Sequence, residues 1–217
     1  MRLLMILLPI TAVLALSACN KAADTATDKA SNAIGQEQVK AASAPVTNQS
    51  ASGVGTKPAD VALESSNGES AVLSYKNAGN TAPNLVFTGA DGRDVHLADF
   101  AGRPLLVNIW ATWCAPCKAE MPTLDKLAAE QEGKLSVIAV SQDLEGRKPV
   151  QAYFQSAKLA NLEPYADPDN HLLSSLGNEV SLPTTILYNA KGKEVWRVTG
   201  GVDWQDAKVA KLIAEAS

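Results

Sequence analysis

From residue 83 onward, short continuous apolar runs alternate with stretches whose apolar residues recur at helical spacing. Leu105-Leu106-Val107-Asn108-Ile109-Trp110 and Leu135-Ser136-Val137-Ile138-Ala139-Val140 read as buried strands. Residues 115–132 between them read as a helix, with Met121, Leu124 and Leu127 on one face. Residues 147–159 read as a second helix, Tyr165 and Ala166 as a short strand, and Gly177 as the stop of a helix running to Leu176. Upstream, residues 85–88 and 95–97 flank the turn Gly89-Ala90-Asp91-Gly92 and predict a hairpin. A second hairpin is expected from residues 184–188 and 194–198, and a final helix over 204–216 with Val209, Leu212 and Ile213 inward. The pattern predicts an α/β domain, a mixed central sheet flanked by helices with an added N-terminal β-hairpin.

The first 82 residues read differently. Met1-Arg2 precedes an apolar run ending at Leu16, which describes an export signal too short to span a membrane comfortably. Leu16-Ser17-Ala18-Cys19 resembles the bacterial lipobox, and the resemblance implies cleavage before Cys19 and lipidation of its sulfur. From Asn20 to Ala82 the chain is Ala, Ser, Thr, Asn and Gly with scattered charges, too poor in bulky apolar residues to offset chain entropy. The expected organisation is a signal peptide over 1–18, a lipidated cysteine and flexible tether over 19–82, and one domain over 83–217. Val72-Leu73-Ser74-Tyr75 is the one stretch of the tether expected to add a short strand at the domain edge.

Charge narrows the partners. The 217-residue chain has a formal net charge of −4, and loss of Arg2 with the leader leaves the mature chain more acidic still. No basic footprint for nucleic acid is present.

Trp113-Cys114-Ala115-Pro116-Cys117 carries the chemistry. Two thiols at this spacing can make and break a disulfide between themselves. The motif sits where a strand gives way to a helix, so Cys114 should fall at the helix N-terminus, where unpaired N–H groups and the helix dipole stabilise a thiolate. A zinc site would need further ligands, and the chain's 3 cysteines and 2 histidines, His96 and His171, supply none nearby in sequence. A dithiol copper-binding chaperone remains the alternative. A peroxidase is disfavoured, because Val107 and Ala111 stand where peroxiredoxin-type sites place Pro and Thr or Ser. With Cys19 consumed by lipid, Cys114 and Cys117 are the remaining thiols, and in an exported protein such a pair reads as a redox site.

Trp110 to Lys118, Glu120, Pro122 and Leu182-Pro183-Thr184-Thr185, in this order of elements, resemble the thioredoxin-like proteins of the TlpA/ResA branch over residues 83–217. The resemblance implies a thioredoxin fold and a thiol-disulfide oxidoreductase that needs no organic cofactor or metal. It implies that Cys114 attacks, that Cys117 resolves, and that the two form the redox-active disulfide. Pro116 would shape the turn between them, and Pro183 would be a cis-proline beside Cys114. The backbone of Leu182 would then pair with an incoming substrate strand, and Trp113 would pack beside Cys114 and control access to it. An acidic residue at Glu120 would sit by the thiols, raise their pKa values and relay their protons; a solvated helix glutamate is the bland alternative. Trp110 reads as core, and Pro122 as a kink in the helix. The implied setting is the periplasmic, membrane-anchored reduction of exported client proteins, such as those of cytochrome c or copper-oxidase assembly. A membrane thiol donor would recharge the domain, which would act as a monomer.

Overall fold

The computed structural model describes residues 60–64, 68, 70–177 and 181–216. In chain order the elements are β1 (Asp60–Glu64), β2 (Ser70–Ser74), β3 (Val86–Thr88), β4 (Asp94–His96) and a 3-10 turn (Leu97–Phe100). Then follow β5 (Leu105–Trp110), α1 (Ala115–Glu130), β6 (Ser136–Ser141), α2 (Arg147–Ala157), β7 (Pro164–Ala166), α3 (His171–Ser175), β8 (Thr184–Tyr188), β9 (Glu194–Thr199) and α4 (Ala207–Ile213). All the strands described join one mixed sheet in the order β1-β2-β9-β8-β5-β6-β7-β3-β4. The centre is the β5–β6 parallel pair with β8 antiparallel on the other side of β5.

Strand β5 is buried along its whole length because both faces of the sheet are covered. Leu106 and Trp110 point into the cluster that takes Met121 and Leu124 of α1, Phe154 of α2 and Val209 and Ile213 of α4. Leu105, Val107 and Ile109 point into the opposite cluster with Phe87, Tyr165, Leu172 and Ile186. Period-two alternation thus sorts one strand between two cores. Met121 and Leu124 are fully buried, and burial of each such side chain stabilises the sheet–helix contact by about 1.5–3 kcal/mol.

Two boundaries differ from the sequence expectation. The folded domain begins well before residue 83: β2 pairs with β9 through Val72↔Thr199, Leu73↔Val198 and Ser74↔Arg197, and β1 covers the other edge of β2. Composition averaged over the tether hid this. Strand addition needs mainly backbone hydrogen bonds, and here only Ala71 and Leu73 are buried from β2. The final helix starts at Ala207, not 204, because the Asp206 side chain accepts from Lys208 N–H and caps it. Residues 200–206 are therefore loop or turn. Cys19, the leader over 1–18 and most of the expected tether lie outside the described residues.

Candidate active site

The chain leaves β5 at Trp110, turns through Ala111-Thr112-Trp113 and enters α1 with Cys114 as its N-cap. Cys114 has extended backbone angles (φ −85°, ψ 107°), and its sulfur accepts the Cys117 N–H at 3.3 Å. Pro116 in the first turn lacks an N–H at a place where a helix has no acceptor to offer it. Cys114 and Cys117 are joined as a disulfide. Cys114 is 6% exposed and Cys117 fully buried, so an attacking group meets Cys114 first.

The other end of the site comes from β8. The Leu182–Pro183 peptide bond is cis. Thr184 pairs with Ile109, so the antiparallel register sets Pro183 at the end of β5 from which the cysteine turn departs. The Pro183 carbonyl accepts from Gly200 N–H at 2.9 Å. Leu182 is half-buried and packs against both apolar clusters.

Glu120 lies one helical turn beyond Cys117 and is 1% exposed, which removes the reading as a solvated helix residue. Its Oε1 accepts from Asn108 Nδ2 at 2.7 Å. Its Oε2 accepts from Val202 N–H at 3.1 Å and from Trp204 Nε1 at 3.2 Å. Donors from β5 and from the 200–206 loop thus hold a buried carboxyl in the active-site helix. Hydrogen bonds to a charged acceptor contribute about 1.5–3 kcal/mol each, which offsets the loss of water around it.

Trp113, next to Cys114 in the chain, is 68% exposed. Helix α1 continues through Pro122, and the carbonyl of Lys118, which Pro122 cannot bond, accepts the Tyr153 hydroxyl at 3.2 Å. Trp110 is core, tilted against Tyr153 with ring centroids 5.1 Å apart.

Residues that the sequence reading passed over complete the site. Asn108 hid in an apolar run, although an amide in the middle of a buried strand is itself a signal. Trp204 was obscured by the late helix start, and Val202 acts through a backbone N–H that no side chain announces. Asp143, at the end of β6, accepts from Thr112 N–H and hydroxyl and from the Ser141 hydroxyl. Its neighbour Leu144 is 72% exposed.

The likenesses to known proteins agree with this geometry. The Redoxin family model matches residues 77–213. Thiol-disulfide oxidoreductase ResA of Bacillus thuringiensis is 31% identical over 123 residues, which cover 56% of this chain and 69% of that protein. ResA of Bacillus subtilis is 34% identical over 124 residues, 56% of this chain and 67% of that protein. The thioredoxin domain of a Bacteroides vulgatus thiol-disulfide oxidoreductase superposes with a TM-score of 0.52 at 24% identity, over 64% of this chain and 96% of its own, and speaks for the fold alone. With a cysteine pair capping the helix after the central strand, and relatives of this kind over the same residues, the chain belongs to the Redoxin family as a thioredoxin-fold, TlpA/ResA-like protein.

Proposed function

We propose that this thiol-disulfide oxidoreductase reduces disulfides of exported client proteins while held to a membrane by lipid on Cys19. The observation that carries the chemistry is the placement of Cys114 as the cap of α1 with Cys117 buried behind it. A thiolate at Cys114 gains the helix dipole and the N–H groups of the first turn, which lower its pKa and make it the attacking sulfur.

The reaction then runs in two exchanges. The Cys114 thiolate attacks a client disulfide; a Cys114–client bond forms, the client bond breaks, and one client sulfur leaves as a thiolate. Cys117 loses its proton and attacks Cys114. The second client sulfur leaves, and the domain is oxidised to the Cys114–Cys117 disulfide. Two electrons pass from the dithiol to the client. Glu120, one turn from Cys117, takes the proton that Cys117 releases. Pro116 and Pro183 shape the pocket around the pair, and the backbone of Leu182 aligns the client strand, with Trp113 beside it.

The direction is supported by the resemblance to the ResA branch, and the location by the export signal and lipobox. Clients are proteins with reducible cysteine pairs, such as haem-site or copper-site cysteines awaiting assembly, and a membrane thiol donor restores the dithiol. Among the described residues no helix is long and apolar enough to cross a membrane; support for lipid as the attachment comes from Leu16-Ser17-Ala18-Cys19 alone. Cys117→Ala should stall clients as mixed disulfides on Cys114, recoverable from the extracytoplasmic fraction. Absence of trapped proteins, together with unaltered client thiols in cells lacking the chain, would overturn the reading. Cys19→Ala should release the protein from membranes, and continued membrane partitioning of that processed variant would remove the anchor.

A further inference from the structure

Asn108 is the one polar side chain that β5 turns toward α1. Leu106 and Trp110, two positions to either side on the same face, lie in the apolar cluster beneath that helix. Asn108 is fully buried. Its Nδ2 donates to Glu120 Oε1 at 2.7 Å and to Thr185 Oγ1 at 2.9 Å, while its Oδ1 has no partner among the described residues. One end of the amide is fully used and the other idle, which is an uncommon state for a buried polar group.

Resting on the reading of Glu120 as the proton acceptor of the dithiol, we propose that Asn108 is the positioning residue for that carboxyl and that its amide reverses when Glu120 is protonated. With Glu120 ionised, Oε1 is an acceptor and Nδ2 faces it, as in the structure. When a cysteine proton passes to Oε1, the carboxyl becomes a donor there, and two donors cannot share the contact. Half a turn about Cβ–Cγ exchanges Oδ1 for Nδ2. The two groups are nearly the same size, so the packing of β5 is undisturbed. Oδ1 then accepts from the Glu120 carboxyl and from the Thr185 hydroxyl, which can donate as readily as accept. Only a proton has moved, from sulfur to oxygen. Thr185 lies in β8, two residues beyond Pro183, so the same rotation carries the protonation state of Glu120 to the strand that follows the cis-proline.

Among the described residues, the titratable groups that face Glu120 from the elements around it are these. Cys114 and Cys117 lie on the first turn of its own helix, and Asp203 lies in the 200–206 loop with its Oδ1 accepting from Gln205 N–H at 2.9 Å. Strands β5 and β8 bring the neutral Asn108 and Thr185.

The test is a pH titration of the reduced wild-type protein by NMR, following the Glu120 carboxyl carbon and the Asn108 side-chain amide together. The two should move with one midpoint, and in Glu120→Gln the Asn108 signals should lose that transition. A Glu120 carboxyl that titrates while the Asn108 amide stays constant overturns the inference. The thiol readout is independent. Asn108→Ala withdraws a donor from the carboxylate, so Glu120 is neutral more of the time and opposes the Cys114 thiolate less. The alkylation midpoint of Cys114 should fall in the same direction as in Glu120→Gln, by about half a pH unit, or about threefold in thiolate fraction below the midpoint. The double variant should match Glu120→Gln alone. A shift from Asn108→Ala that adds in full to that of Glu120→Gln overturns the inference while leaving Glu120 its role. An alkylation profile untouched by Glu120→Gln removes the role of Glu120 itself, and the inference with it.

Discussion

Thr112 and Asp143 are joined twice across 31 residues of sequence: the Thr112 N–H donates to Oδ2 at 2.9 Å and its hydroxyl to Oδ1 at 2.5 Å. In the turn that presents Cys114, Ala111 is buried in the apolar cluster under α1, but Thr112 is half-buried and Trp113 exposed. The position of Thr112 is borrowed from β6, the central strand on the far side of β5 from β8. A carboxylate at the end of one parallel strand therefore holds the reactive turn at the end of the next.

Asp143→Ala removes the acceptor for Thr112 N–H, the Thr112 hydroxyl and the Ser141 hydroxyl together. The loss should be about 2–4 kcal/mol in the oxidised protein, from donors left unsatisfied at a buried site. Urea unfolding measures it, and disulfide exchange should slow in parallel because Cys114 is no longer held. A stability within about 0.5 kcal/mol of the parent, as for ordinary surface changes, would mean that the turn holds itself.

Three tyrosines make the fold sensitive to alkali. Burial raises the hydroxyls of Tyr153, Tyr165 and Tyr188 above the usual range; nearby Glu163 adds to the effect at Tyr165, as does Glu194 at Tyr188. Each raised folded-state pKa contributes stability that is fully present below the unfolded value of about 10 and lost as pH rises beyond it. Stability should thus fall steadily above about pH 10, and phenolate absorbance should appear with unfolding instead of before it. About half of the full phenolate absorbance from a still folded domain near pH 10, as free tyrosines would give, would contradict that burial.

Apolar patterning reveals the centre of this fold and misses its margins, for a physical reason. Strands β5, β6 and β8 are covered on both faces, so their middles are mostly apolar, and the cysteine pair marks where β5 becomes helix. Strand β1 and the start of β2 are held at the sheet edge by backbone pairing, which leaves little mark on composition. Within the site, Cys114, Cys117 and Glu120 were legible from spacing and resemblance. The groups that hold Glu120 were less so, because Val202 contributes a backbone N–H and Trp204 precedes a cap, Asp206, that was read as helix interior. Exposure is the opposite limit: nothing in the pattern marks Trp113 and Leu144 as solvent-facing, and both are exposed in the fold.

That exposure suggests how a client is held. Trp113 and Leu144 adjoin Thr112 and Asp143, the pair whose bonds tie the two loops together, and they are 68% and 72% exposed. An unfolded client segment with apolar residues near its cysteines can cover both. Trp113→Ala and Leu144→Ser should raise KM for a peptide disulfide flanked by apolar residues. The rate with a small disulfide such as oxidised glutathione should change little. Loss of about 1–3 kcal/mol of binding at Trp113 corresponds to roughly 5- to 150-fold in kcat/KM. Equal losses with both substrates would place the defect in the chemistry instead.

Gly200 joins the pieces of the site and is the sharpest test of their coupling. Its φ is +103°, its N–H donates to the Pro183 carbonyl, and two residues later Val202 donates to Glu120. A Cβ at Gly200 would lie 2.6 Å from the Ser70 carbonyl oxygen and 3.0 Å from Ala71 Cα, both backbone atoms of β2. Backbone in a sheet cannot step aside as a side-chain tip can. Gly133 provides the control, with φ +75° and nothing within 4 Å of the added carbon. Gly133→Ala should cost about 1–2 kcal/mol from the left-handed backbone alone. Gly200→Ala should cost clearly more than that, because the strand β2 or the 200–206 loop must move. If the loop moves, Val202 and Trp204 withdraw from Glu120, and the pH profile of Cys114 alkylation shifts together with the stability. Equal destabilisation by the two substitutions, with the thiol profile unchanged, would mean that the loop absorbs the extra carbon without disturbing Glu120.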